Sequence, residues 1–195
     1  GNPSVDNQET PEDVWGSSTG LVYHLEETTT DITDSTGYGN DGVAYGGITQ
    51  VTGVVNGGIS FDGGTSTNIE TPSSSSISGF TSALTVSGWV KLDTLAERQV
   101  IINKYDTTGN QRGWFLEYEN AVGLRLYAST NGANSYSWSA AYTPPSIDWH
   151  HVAVVWESGA VPKFYINGAQ VTTVGTDTIG SIYDNSAEPL YLGMT

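Results

Sequence analysis

The stretch ALTVSGWVKL, residues 83–92, alternates without a break. Leu84, Val86, Val90 and Leu92 fall on one side with Gly88 among them, and Thr85, Ser87, Trp89 and Lys91 fall on the other. A period of two is the mark of a strand with one face in a core. GWFLEYE repeats it, with Trp114, Leu116 and Tyr118 opposite Phe115, Glu117 and Glu119, and GLRLYA sets Leu124 and Leu126 opposite Arg125 and Tyr127. HHVAVVW, residues 150–156, is apolar on both faces and reads as a central strand covered on both sides. VPKFYINGAQV reads as a hairpin around Asn167-Gly168, a dipeptide suited to a two-residue turn. Further short strands fit LVYHL, GISFD, TNIE, VIINK, SYSWS and LYLG, and only residues 73–79 read as a helical turn.

Roughly a dozen strands at spacings of about ten residues call for two packed antiparallel sheets. The 195 residues suffice for one sizeable core. The serine-rich run TPSSSSISG (71–79) then reads as a loop within one sandwich, because the segments on either side are each small for a core. Residues 1–18 read as a polar linker, or the tail of a preceding domain, ahead of a domain over 19–195. They lack the basic start and apolar centre of a signal peptide.

Six Lys and Arg stand against 21 Asp and Glu, a net charge of -15. That balance argues against nucleic acid, whose phosphates are bound by releasing counterions to cations, and against anionic membrane surfaces. No run of 18 apolar residues is present to span a bilayer. The absence of cysteine removes disulfides, thiolate metal sites and thiol catalysis. Divalent cations, neutral polysaccharide and an extracellular or cell-surface setting are compatible with the charge.

DSTGYGNDG, residues 34–42, is the densest cluster of turn formers and oxygen donors. Asp34, Asn40 and Asp41, with glycine-freed carbonyls, have the chemistry calcium uses, and Asp62 in the SFDGG loop is a further candidate ligand. An Asx-rich turn that only redirects the chain uses the same residues. Glu117 and Glu119 project to one face about 7 Å apart. This overlaps the carboxyl spacing of inverting glycosidases, about 6.5–9.5 Å, but a solvated strand face is the stronger reading. His150 and His151 point to opposite faces and do not chelate together; His24 also reads as structural. No G-x-S-x-G nucleophile motif is present, and GYGNDG lacks the strand–helix unit of a dinucleotide site. Trp89, Glu117, Arg125 and Tyr127 are expected to share the outer face of one sheet, the composition of a shallow glycan groove. Trp89 packed beneath a covering loop is the alternative. Tyr136, Trp138 and Tyr142 form a second aromatic cluster, either a loop-end site or a local staple.

GLVYHLEE…DSTGYGNDGVAYG, GISFDG, LTVSGWVKL, WHHVAVVW, KFYINGAQV and LYLG follow one another in that order. Together they resemble the laminin-G-like branch of the concanavalin A-like lectin/glucanase superfamily over residues 20–193. The resemblance implies an all-β fold, a jelly-roll sandwich of two antiparallel sheets. It also implies a structural calcium ion and an accessory role in binding carbohydrate or protein. The glucanase branch carries an E-x-D-x-E pattern that this chain lacks, so a non-catalytic module is expected. The family's last strand, an IDEV-like run after LYLG, is not found before Thr195. The expectation is then either a polysaccharide or cell-surface glycan or protein as ligand, or a surface assembly in which a partner chain donates a strand.

Overall fold

The computed structural model describes residues 14–64, 66–142 and 147–193. Most of the linker read at 1–18, and Thr143–Pro145 after the second aromatic cluster, lie outside the described residues. Among the described residues, fifteen strands fall into three antiparallel sheets. In chain order they are β1 (Asp31–Ile32), β2 (Gly42–Tyr45), β3 (Ile48–Thr52), β4 (Gly57–Phe61), β5 (Asn68–Thr71), β6 (Ala83–Lys91), β7 (Gln99–Asp106), β8 (Gln111–Glu119), β9 (Gly123–Gly132), β10 (Tyr136–Ala140), β11 (Trp149–Glu157), β12 (Lys163–Ile166), β13 (Ala169–Val171), β14 (Thr173–Val174) and β15 (Leu190–Leu192). The large sheet has nine strands in the order β1-β2-β5-β15-β7-β8-β9-β10-β14, the small sheet four in the order β13-β12-β11-β6, and β3-β4 form a separate hairpin.

The two larger sheets face each other across one core. Leu84, Val152, Val154, Trp156, Phe164 and Ile166 come from the small sheet; Trp114, Leu116, Leu124, Leu126, Ala128 and Trp138 come from the large one. A second cluster of Ile32, Ala44 and Ile69 packs under the β3-β4 hairpin with Tyr23, Ile59 and Phe61. Asn167 and Gly168, at φ of 50° and 80°, turn the chain between β12 and β13, as a two-residue primed turn requires.

Several local expectations change. Leu21, Tyr23 and Leu25 of LVYHL pack inward, but the segment joins no ladder. Its backbone is spent instead on the next loop: Val22 N–H donates to Asp34 Oδ1 (3.0 Å) and Ser35 N–H to Val22 C=O (2.9 Å). β11 is interior to its sheet, yet its outer residues His151, Ala153 and Val155 are only partly covered. Residues 73–79 form turns, not a helix. Their Ile77 joins the core, and Ser73 accepts from Lys104 Nζ at 3.0 Å.

Lys104 points inward from β7 with no solvent exposure. Its ammonium also donates to the Glu188 carbonyl at 2.5 Å, and burial pulls its pKa down to about 8. One residue on, the register between β7 and β8 shifts. The buried Asn185 amide supports the irregularity, donating to the Lys104 and Gln111 carbonyls at 2.7 and 3.1 Å.

Candidate functional site

The 34–42 loop is closed on itself. Asp34 is buried, and each carboxylate oxygen accepts two hydrogen bonds. Oδ1 takes the N–H groups of Val22 and Thr36, both at 3.0 Å. Oδ2 takes the Thr36 hydroxyl at 2.7 Å and the Asn40 N–H at 2.9 Å. Asp41 Oδ1 accepts the Asp34 N–H at 2.8 Å. The Asn40 side chain donates to Gly20 C=O (2.6 Å) and Ser76 Oγ (2.8 Å) and accepts from Ser74 Oγ (2.6 Å). Tyr23 donates to the Asn40 carbonyl at 2.5 Å, and burial raises that phenol to about 12.

A carboxylate has about four lone-pair sites, and all of Asp34's face donors. Calcium needs such oxygens turned toward itself. Asp62 does not join the group: it sits against Gly47, past the far end of β2 from Asp41, about 15 Å of strand away. The Thr67 hydroxyl and the Gly64 N–H bond it and hold its carboxyl below the usual carboxylate range. Among the described residues no three acidic or histidine side chains converge on a point that would hold a metal. As arranged, Asp34 therefore has no lone pair left for a calcium ion, and Asp62 lies apart from Asp34, Asn40 and Asp41. The turn reading accounts for every contact of Asp34.

The outer face of the nine-stranded sheet carries a different arrangement. Paired positions run straight across six adjacent strands: Glu70, Tyr191, Asn103, Phe115, Tyr127 and Ser137. Five strand spacings make a row about 24 Å long. At its centre Phe115 stacks on Tyr127, with ring centroids 4.4 Å apart and planes 14° apart, and Tyr105 meets Phe115 edge-on at 4.9 Å. Burial pushes the Tyr191 phenol upward, with the neighbouring Glu70 carboxylate adding to the shift.

Beside the rings lies Glu117, 0% exposed. Its Oε1 accepts from Arg125 Nε and Nη2 at 2.9 and 2.7 Å, and its Oε2 accepts from Arg98 Nε. Charge-assisted bonds of this kind offset the desolvation of a buried carboxylate. The two guanidiniums are thereby held over the aromatics, Arg125 4.6 Å from the Tyr127 centroid and Arg98 5.7 Å from that of Phe115. Arg125 also pairs with Glu119. Glu117 is thus enclosed and acts through the arginines, which remain 51% (Arg98) and 20% (Arg125) exposed.

Of the residues expected to share one groove, Glu117, Arg125 and Tyr127 come together and Trp89 does not. Trp89 lies on β6 of the other sheet, 46% exposed, edge-on to His151 at 5.5 Å. Alternation along a strand gives the face but not the sheet, which accounts for the misplacement. It is also not buried under a loop. Arg98, Tyr105 and Phe115 were not singled out. Phe115 was legible from its alternation with Trp114, whereas Tyr105 follows a register shift and Arg98 lies in the loop before β7. Trp138 of the second aromatic cluster is a core residue, donating from its indole to Asp177 C=O at 2.9 Å, so that cluster is a staple. His150 faces the core and His151 faces outward, as their adjacency requires.

Residues 62–195 match the Concanavalin A-like lectin/glucanases superfamily, and the chain belongs to that family. Solved structures of similar fold include the binding domain of Paraclostridial Mosquitocidal Protein 1, with 16% identity, a TM-score of 0.65, and coverage of 91% of this chain and 48% of that one. Another is a structure of botulinum neurotoxin type C, whose cell entry depends on interaction with two ganglioside molecules (15%, 0.69, 90% and 43%). A third is the binding domain of botulinum neurotoxin DC in complex with rat synaptotagmin II (13%, 0.69, 92% and 45%). The chain spans less than half of each. A human protein, Adhesion G-protein coupled receptor D1, is 33% identical over 60 residues, 31% of this chain and 7% of the receptor.

Proposed function

We propose that this chain is a non-catalytic, extracellular or cell-surface binding module that takes an extended glycan along the outer face of its nine-stranded sheet. The observation that carries the reading is the transverse row from Glu70 to Ser137 with the half-exposed Arg98 and the largely buried Arg125 fixed above its aromatic centre. Aromatic rings present apolar faces to sugar rings, and guanidinium and carboxylate groups bond hydroxyls at fixed positions. Glu117 has no lone pair facing solvent, so its role is to position arginines and not to exchange protons with a substrate. Structures of similar fold belong to toxins, one dependent on ganglioside molecules for cell entry and another solved in complex with rat synaptotagmin II, which supports recognition as the shared task. Retention on immobilised polysaccharides that is lost in Tyr127→Ala and Arg98→Ala supports the reading. Retention unchanged in both variants refutes it.

A further inference from the structure

The row on the nine-stranded sheet does not end at Glu70. Paired positions carry it two strands further, through Val43 on β2 to Asp31 on the edge strand β1. The two halves of this face differ in charge. Toward β9, Arg98 and Arg125 are matched by Glu117 and Glu119. Toward β1, Asp31 and Glu70 lie on the row itself, and the half-buried Glu188 and Asp106 act on the Tyr191 phenol beside it. Among the described residues none of these four carboxylates pairs with a cation. Lys104 lies on the core side of the sheet and bonds the Glu188 carbonyl, not its carboxylate.

Burial, and after it the carboxylates of Glu70, Glu188 and Asp106, hold the Tyr191 phenol above its ordinary range, so it stays an O–H donor at neutral pH. Tyr45 adds to that shift and is itself 48% exposed. Asn68 lies opposite Tyr45 on the same outer face. Its side-chain oxygen is buried with no hydrogen-bond partner among the described residues. Exposed ring faces, half-buried carboxylates and an unmet acceptor are the groups that hold an ammonium ion. A carboxylated or sulfated sugar in the same place would meet like charge.

We propose, resting on the glycan reading above, that the polymer taken along this face is built of amino sugars with free amines. Glu70, Glu188 and Asp106 hold its ammonium groups beside Tyr191 and Tyr45. Glu70 stands three strand spacings from Phe115, about 14 Å, so one oligosaccharide reaches both the stacked rings and the carboxylates. The two arginines, their charge already balanced by Glu117 and Glu119, serve the sugar hydroxyls and do not repel the amines. The net charge of -15 draws a cationic polymer toward the molecule.

The test is isothermal titration of the chain with two hexasaccharides of one backbone, glucosamine and N-acetylglucosamine, at mildly acidic pH where the free amines are charged. At about 50 mM NaCl the free-amine sugar should bind about tenfold tighter, and at about 500 mM the gap should close. Glu70→Gln and Glu188→Gln should each narrow the gap, whereas Tyr127→Ala should weaken both sugars together. Equal or tighter binding of the acetylated sugar, with both sugars weakened by Tyr127→Ala, overturns the proposal and leaves the glycan reading standing. Binding of neither sugar overturns both. A gap indifferent to salt, or to both glutamate variants, overturns the proposal alone. So does an oligolysine of equal charge that displaces the amino sugar as well as the free-amine hexasaccharide does, because the face would then read charge and not sugar.

Discussion

Replacing Asp34 with alanine removes the acceptor for four donors at once: three backbone N–H groups, from Val22, Thr36 and Asn40, and the Thr36 hydroxyl. The hydroxyl can rotate to another partner; the backbone donors cannot follow. Each buried donor left unmet costs about 1–2 kcal/mol once partial access of water is allowed for, giving a loss of about 3–6 kcal/mol. In a domain of this size that lowers Tm by roughly 6–24 °C. Thr36→Val deletes only the bond to Oδ2 and should cost about 1 kcal/mol. The assay is thermal melting followed by circular dichroism, on metal-stripped protein with and without calcium, with magnesium as the control for screening. The hydrogen-bonded loop predicts the same large Asp34→Ala loss in all three conditions. A calcium-specific rise in the unmutated protein's Tm, abolished by Asp34→Ala, would refute it and restore Asp34 as a ligand. A loss below about 1 kcal/mol would refute it differently, by showing that the four bonds are not in place.

Glu117→Ala should leave Arg98 and Arg125 without their shared carboxylate. Because Arg98 is half-exposed and recovers water, the cost should be about 2–3 kcal/mol in urea denaturation, below that of a fully enclosed pair, and glycan retention should fall with it. Stability should also depend on pH in two opposed windows. Folded Lys104 releases its proton near pH 8 and the unfolded lysine near 10.5, so between them the unfolded state holds more protons and stability rises with pH. Folded Tyr23 keeps its proton to about 12 and the unfolded tyrosine to about 10, so stability falls above pH 10. Urea midpoints across this range should lose their rise in Lys104→Met and their fall in Tyr23→Phe. A profile identical in both variants contradicts the assignments.

The strands that frame the outer aromatic row were legible wherever alternation ran cleanly. β6, β8 and β9 lie where their apolar residues place them, and Asn167-Gly168 turns the hairpin it suggests. Pairing partners were not legible. Trp89 and Tyr127 both alternate outward, yet one belongs to each sheet, and only the order of strands separates them. LVYHL shows the same gap: its inward residues are correct, but a ladder depends on a neighbour that periodicity does not encode. Register shifts at Lys104/Tyr105 and Arg112/Trp114 hid Tyr105, because a bulge resets the count of faces. The 34–42 loop was ambiguous for a chemical reason. An aspartate carboxylate that caps three N–H groups and one that binds calcium belong to the same residue type in the same glycine-rich setting.

The most direct test of the binding account compares Tyr127→Ala with Trp89→Ala on a panel of immobilised glycans, both variants first shown to melt as the unmutated protein does. A face on the nine-stranded sheet predicts that Tyr127→Ala abolishes retention and Trp89→Ala preserves it. Retention lost in Trp89→Ala and kept in Tyr127→Ala, or no retention of the unmutated protein on any glycan, would contradict it.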